Sequence, residues 1–289
     1  MNYPAAAGYN QVPNGQFAPH IWSGNMLANY YEVAMCMDIC NTDFEGEISD
    51  IGSKVIIRRD PEVEIYQYYK GMKLETQAVE DEGIEFPIEK GIYYNFPVDD
   101  VERRQSDIPW VEKVTSNASI KNKLWIDKQM LSTVYADVPA ANIIADAVVN
   151  KASAVDFIAD VGVKMDEAFI PDDGQRWIIV PHWMKGEIKK NPDFLSAEKM
   201  GDDTSILRNG ILGTLDRMKV YSTSLLAKPG AYDIVLAGHP QAITFATQFV
   251  KTEKLRNPNA FGDLVRGLQV YDFMVTQPSL LIKAGIKIV

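Results

Sequence analysis

Val63-Glu64-Ile65-Tyr66-Gln67-Tyr68-Tyr69-Lys70-Gly71, preceded by Val55-Ile56-Ile57 and followed by Ile92-Tyr93-Tyr94-Asn95-Phe96, decides how the chain is read. These runs are β-branched and aromatic, and Asp60-Pro61, Lys70-Gly71 and Lys90-Gly91 punctuate them, so they predict strands joined by turns. They lie within residues 43–102, where sixteen acids face six bases. That net of -10 equals the formal charge of all 289 residues, so the remainder balances to zero. A two-stranded ribbon is marginal alone in water. Acidic strands followed directly by one long helix therefore point to an arm that completes itself on a neighbour. Assembly is the expectation, ahead of catalysis.

The length suits one large domain or two modest ones with a substantial core. Apolar content of 46% and charged content of 24% are ordinary for a globular protein. No uncharged run approaches the roughly 18 residues that a membrane span needs, and no basic region followed by an apolar stretch opens the chain. No membrane partner or signal peptide is expected. A pI near 4.9 argues against a reader of nucleic acid, which needs a clustered basic footprint. It does not argue against enclosing nucleic acid, since tight phosphate contacts would oppose sliding during filling.

Residues 1–19 carry no charge and are spaced by Pro4, Gly8, Pro13, Gly15 and Pro19, which predicts an arm with Tyr3, Tyr9 and Phe17 as anchors. From Ile21 to Cys40 the pattern is helical in places. Ser106-Asp107-Ile108-Pro109 is a helix-start signal, and no Gly or Pro follows until beyond Val134. Lys113, Lys121, Lys123 and Lys128 punctuate that helix, and residues 103–135 carry six bases against three acids. After Pro139 the sequence predicts a helix at Ser153–Phe169 with Gly162 as a weak point, and a buried strand at Arg176–Val180. It further predicts a short helix at Trp183–Lys190, a hairpin within Ile211–Leu226, and a strand at Tyr232–Ala237. A helix at Pro240–Val250 and strands at Gln269–Thr276 and Leu280–Val289 complete the pattern. Without a regular βαβ period, the class is α+β.

The search for chemistry returns little. His20, His182 and His239 are scattered, and there is neither a His-Glu-x-x-His frame nor a phosphate-cradling glycine loop. Asn41-x-Asp43-x-Glu45-Gly46 faintly resembles a calcium loop, but Gly52 stands where the bidentate Glu is needed. Cys36 and Cys40 could share a metal one turn apart, yet no His or further Cys sits nearby, so buried free thiols are expected. The pairs Asp99-Asp100, Asp172-Asp173 and Asp202-Asp203 read as solvated surface. A soluble hydrolase using one of these carboxylate pairs is the alternative of another class. No catalytic residue, cofactor or metal is expected.

Ile21-Trp22-Ser23, the stretch Asp43–Gln105, Arg176-Trp177-Ile178-Ile179-Val180-Pro181 and Asn209-Gly210-Ile211-Leu212-Gly213 leading to Val220-Tyr221-Ser222 come in a telling order. With Phe261-Gly262-Asp263-Leu264-Val265-Arg266-Gly267-Leu268-Gln269-Val270-Tyr271, the sequence resembles major capsid proteins of tailed bacteriophages, the Hong Kong 97-like family. Each string alone is weak; order and spacing carry the resemblance. Arg217 stands where such proteins often have a turn glycine, and Asp272 follows Tyr271 where glycine is frequent.

The resemblance implies an N-terminal arm and leading segment (1–42), a strand region (43–105) with an extended loop at about 52–77, and a spine helix within a peripheral domain (106–138). It also implies an axial domain (139–259) at hexamer and pentamer centres, and C-terminal strands (260–289) returning to the body of the subunit. Function would be that of a self-assembling shell of a phage head enclosing double-stranded DNA, made in the bacterial host cytoplasm, and not that of an enzyme. A portal, a possible decoration protein and a separate scaffolding protein are the implied partners. The trio of residues that cross-links some members is not matched here, so no cross-link is expected. A bacterial encapsulin-type compartment is the alternative with the same fold. Expected contact residues are Val63, Tyr66, Tyr68 and Tyr69 on the loop, Lys113, Lys121 and Lys128 on the helix, and the arm aromatics.

Overall fold

The computed structural model describes residues 34–44, 54–58, 63–73, 76, 83–99, 110–191, 213–258 and 261–288. The helices are α1 (Cys36–Ile39), α2 (Trp110–Thr133), α3 (Ser153–Glu167) and α4 (His182–Lys190). Strands β1 (Lys54–Arg58) and β2 (Gly83–Pro87) form an antiparallel ribbon. Strands β3 (Lys90–Asp99), β9 (Ile243–Arg256) and β10 (Gly262–Val275) form an antiparallel sheet with β10 in the middle. Strands β4 (Ile143–Val149), β5 (Trp177–Pro181), β6 (Thr214–Leu215), β7 (Met218–Thr223), β8 (Asp233–Gly238) and β11 (Leu281–Ile288) make a mixed sheet. Its order is β4-β11-β8-β5-β7-β6. The class is α+β.

The mixed sheet is covered on both faces, and the side-chain alternation of its central strand shows why. Ile178 and Val180 of β5 point to a cluster with Phe157, Ile158, Val161 and Met165 of α3 and Met184 and Ile188 of α4. Trp177 and Ile179 point the other way, into a cluster with Ile126, Met130, Leu131 and Val134 of α2. A strand buried on both sides reads as one unbroken apolar run, as Trp177–Pro181 does. The helix α3 runs unbroken through Gly162, which makes room for the Asp216 carboxylate; a Cβ there would stand 2.0 Å from Asp216 Oδ2.

One expected helix is a strand. Pro240–Ala242 makes a single 3₁₀ turn, and β9 begins at Ile243 and runs to Arg256. Proline at a first helical position suits such a turn as well as an α-helix, and the His239 ring accepts the Gln241 N–H as a cap would. The turn carries the chain from the mixed sheet into the three-stranded one. β9 and β10 flank the expected boundary near 259 and pair with each other, whereas β11 crosses back between β4 and β8.

α2 is 24 residues long, about 36 Å at 1.5 Å per residue. Its burial is graded. From Lys113 to Trp125 no side chain is buried, whereas Ile126, Asp127, Met130, Leu131 and Val134 are. Asp127 is 1% exposed and uses its carboxylate to accept the backbone N–H groups of Met35 (2.8 Å) and Cys36 (3.2 Å). It thereby caps α1 from another helix and pins residues 35–40 to α2. The Ser106–Pro109 start signal lies outside the described residues.

Two substitutions test this account. Asp127→Ala leaves two buried N–H groups without their acceptor, at a cost of about 1–3 kcal/mol each. Chemical denaturation should show the loss, and hydrogen exchange should quicken at Met35 and Cys36 before the rest of the core. Gly238→Ala places a Cβ 2.8 Å from both the Leu280 carbonyl oxygen and Leu281 Cδ2. The backbone there is held between two strands, so this change should lower stability by about 1–3 kcal/mol in the same measurement.

Candidate functional site

The ribbon is rooted firmly and its loop is exposed. Ile57 of β1, Phe86 of β2 and Ile88 pack with Ala246 and Val270 of the three-stranded sheet. Ile56, next to Ile57, faces solvent, as the period of two requires. Beyond β1, residues 63–73 carry neither strand nor helix. The run Val63–Tyr66, read from sequence as a strand, therefore has no ladder partner. A turn closes at Lys70-Gly71, where the Met72 N–H reaches the Tyr69 carbonyl at 3.0 Å and Gly71 takes φ of 90°.

Every side chain described in this loop is exposed. Ile65 is 96% exposed, and Val63, Tyr66, Tyr68 and Tyr69 are each above 60%. The phenols engage only locally: Tyr66 donates to the Glu64 carboxylate, and Tyr69 donates to Gln67 Oε1 at 3.0 Å. Glu64 raises the Tyr66 pKa above its ordinary value, because the bonded proton is harder to remove. Apolar exposure of this density is unusual on the surface of a monomeric protein.

The second expected surface is the basic side of α2. Lys113, Lys121 and Lys128 are all exposed, and Lys121 and Lys128, seven residues apart, share a face two turns long. Trp125 and Ile120 are exposed beside them, an apolar contribution that the sequence reading did not single out. Phe169 and Phe261 are further exposed aromatics. Phe169 ends α3 at φ of 56°, a position where glycine is usual. The arm anchors Tyr3, Tyr9 and Phe17 lie outside the described residues.

One candidate acid pair, Asp172-Asp173, has structural partners, whereas Asp100 lies outside the described residues. Asp172 holds Arg217 at 2.7 Å, and Asp173 faces the buried His239 ring at 3.2 Å. The Gln175 backbone N–H, chiefly, and His239 hold the Asp173 carboxyl below the usual carboxylate range. Arg217, with Asp216, takes the positive φ that a turn glycine would supply. Asp272 is buried and binds Lys90 at 2.7 Å together with the Glu89 and Phe273 N–H groups. Asp202-Asp203 lies outside the described residues. Among the described residues no three His, Cys, Asp or Glu side chains gather to hold a metal, and no helix is long and apolar enough to cross a membrane.

No protein-family model and no curated protein sequence matches the chain. Solved structures do. A chain from Mycobacterium phage Che8 is 24% identical and superposes with a TM-score of 0.79, over 93% of this chain and 97% of that one. The capsid of cyanophage P-SCSP1u gives 12% identity and a TM-score of 0.73, covering 94% of each chain. The mature capsid of bacteriophage PhiM1 gives 12% and 0.67, covering 93% of this chain and 92% of that one. At such identities it is backbone architecture that is shared, and this architecture is the Hong Kong 97-like fold of phage capsid subunits.

Proposed function

We propose that this chain is the major capsid protein of a tailed bacteriophage, assembling into hexamers and pentamers of an icosahedral head that encloses double-stranded DNA. The observation that carries the reading is the apolar loop at 63–73, exposed on a chain 94% of which superposes on a capsid chain of cyanophage P-SCSP1u. A loop that is well covered in a monomer would argue otherwise. Residues 139–259 serve as the axial domain, α2 as the spine, and a scaffolding protein, a portal and a possible decoration protein as partners.

The loop of one copy rests on the exposed half of α2 in the next. Val63, Tyr66, Tyr68 and Tyr69 supply cohesion at roughly 25 cal/mol per Å² of apolar area removed from water. The acidic strand region meets Lys113, Lys121 and Lys128 of the neighbour. Pairs on such a rim are worth only about 0–1 kcal/mol each, and their main effect is on register and partner choice.

Negative-stain microscopy of the purified chain, alone and with a co-expressed scaffold, should show shells or rings. A small oligomer under all conditions would overturn the reading. Replacing Tyr66, Tyr68 and Tyr69 together by Ser should cut particle yield at least about tenfold, since truncating interface anchors costs roughly 2 kcal/mol apiece. The melting temperature of the dissociated subunit should hold. Charge reversal at Lys121→Glu and Lys128→Glu should impair particle formation most at low salt; yield and salt response equal to the parent would remove the charge-register idea.

A further inference from the structure

The cysteine pair that the sequence leaves without a third ligand acquires one from α2. Cys36 Sγ and Cys40 Sγ lie 3.9 Å apart, and Met130 Sδ stands 3.3 Å from the first and 3.5 Å from the second. All three residues are buried, Met130 completely. The point equidistant from the three sulfurs is about 2.1 Å from each, close to the roughly 2.3 Å of a metal–thiolate bond. As thiols, both cysteines donate to the Met130 thioether, an arrangement that brings three lone-pair-bearing atoms around one point.

The donor set selects among metals. Thiolate and thioether sulfur are soft ligands and favour Cu(I), whereas a structural zinc site takes four N or S donors. No His, Asp or Glu joins these sulfurs in a metal-binding group among the described residues. Asp127, bound to the Met35 and Cys36 N–H groups, holds the segment that carries both thiols against α2. We propose that Cys36, Cys40 and Met130 form a buried three-sulfur site for a soft monovalent cation, Cu(I) above all, which ties residues 35–40 to α2. On binding, the two thiols become thiolates and their two protons leave to solvent. The metal stays monovalent, so no electron is exchanged.

The test is an anaerobic Cu(I) titration of the 289-residue chain against a Cu(I)-chelating dye, run on the folded chain and on chain refolded with Cu(I) present. One equivalent should bind per chain, with a thiolate-to-copper absorption in the near ultraviolet and a raised melting temperature. Cys36→Ser with Cys40→Ser should abolish uptake. Met130→Leu, which conserves core volume, should keep the metal-free melting temperature yet weaken binding by about tenfold or more. Ag(I), as a redox-inert probe, should follow the same pattern. Absence of stoichiometric uptake in both preparations, or uptake unaltered by Met130→Leu, would overturn the site even if the double cysteine variant fails to fold.

Discussion

The apolar cluster where the second half of α2 meets both larger sheets is the constraint on which the rest of the molecule depends. Ile126, Met130 and Leu131 enter it from the helix, Trp177 and Ile179 from the mixed sheet, and Phe245 and Phe273 from the three-stranded sheet. Because interiors are packed at crystal-like density, this junction holds its parts as one rigid base. Asp127 lies at its edge and adds the leading segment to the same base. What projects from the base, the ribbon and the first half of α2, is therefore positioned even though it is little covered.

Segments whose own apolar pattern reports their burial were legible from the sequence. The continuous apolar run at Trp177–Pro181, the 3.6-residue stripe of α3 and the uninterrupted α2 each fold as their pattern predicts. Pro240 misled because the same capping chemistry opens a 3₁₀ turn or an α-helix, and nothing local says that β10 waits to pair with the residues that follow. Val63–Tyr69 has strand composition without a strand partner, since β-propensity reports fitness for a pleated surface and cannot supply one. The third sulfur near Cys36 was hidden for the plainest reason: Met130 is 94 positions away.

Charge and burial divide the labour. Inside the base, Asp272 is satisfied by Lys90 and two backbone N–H groups; on the surface, Asp173 is satisfied by Gln175 and His239. These contacts fix turns and strand ends. The surplus negative charge is confined to residues 43–102, while the uncovered half of α2 is basic. Opposite signs on two separate projections discourage either from folding back on a copy of itself.

In the assembly proposed above, the exposed loop also sets how a population of subunits behaves. A loop resting on the next copy makes a head-to-tail contact, and such contacts form rings when the rotation between copies closes. Two subunits then share one contact and leave a second loop in water, whereas a closed ring leaves none. Short open chains are thus the least favourable species, and the passage from separate subunits to complete rings is steep in concentration, with a lag before the first closures and few intermediates at any moment.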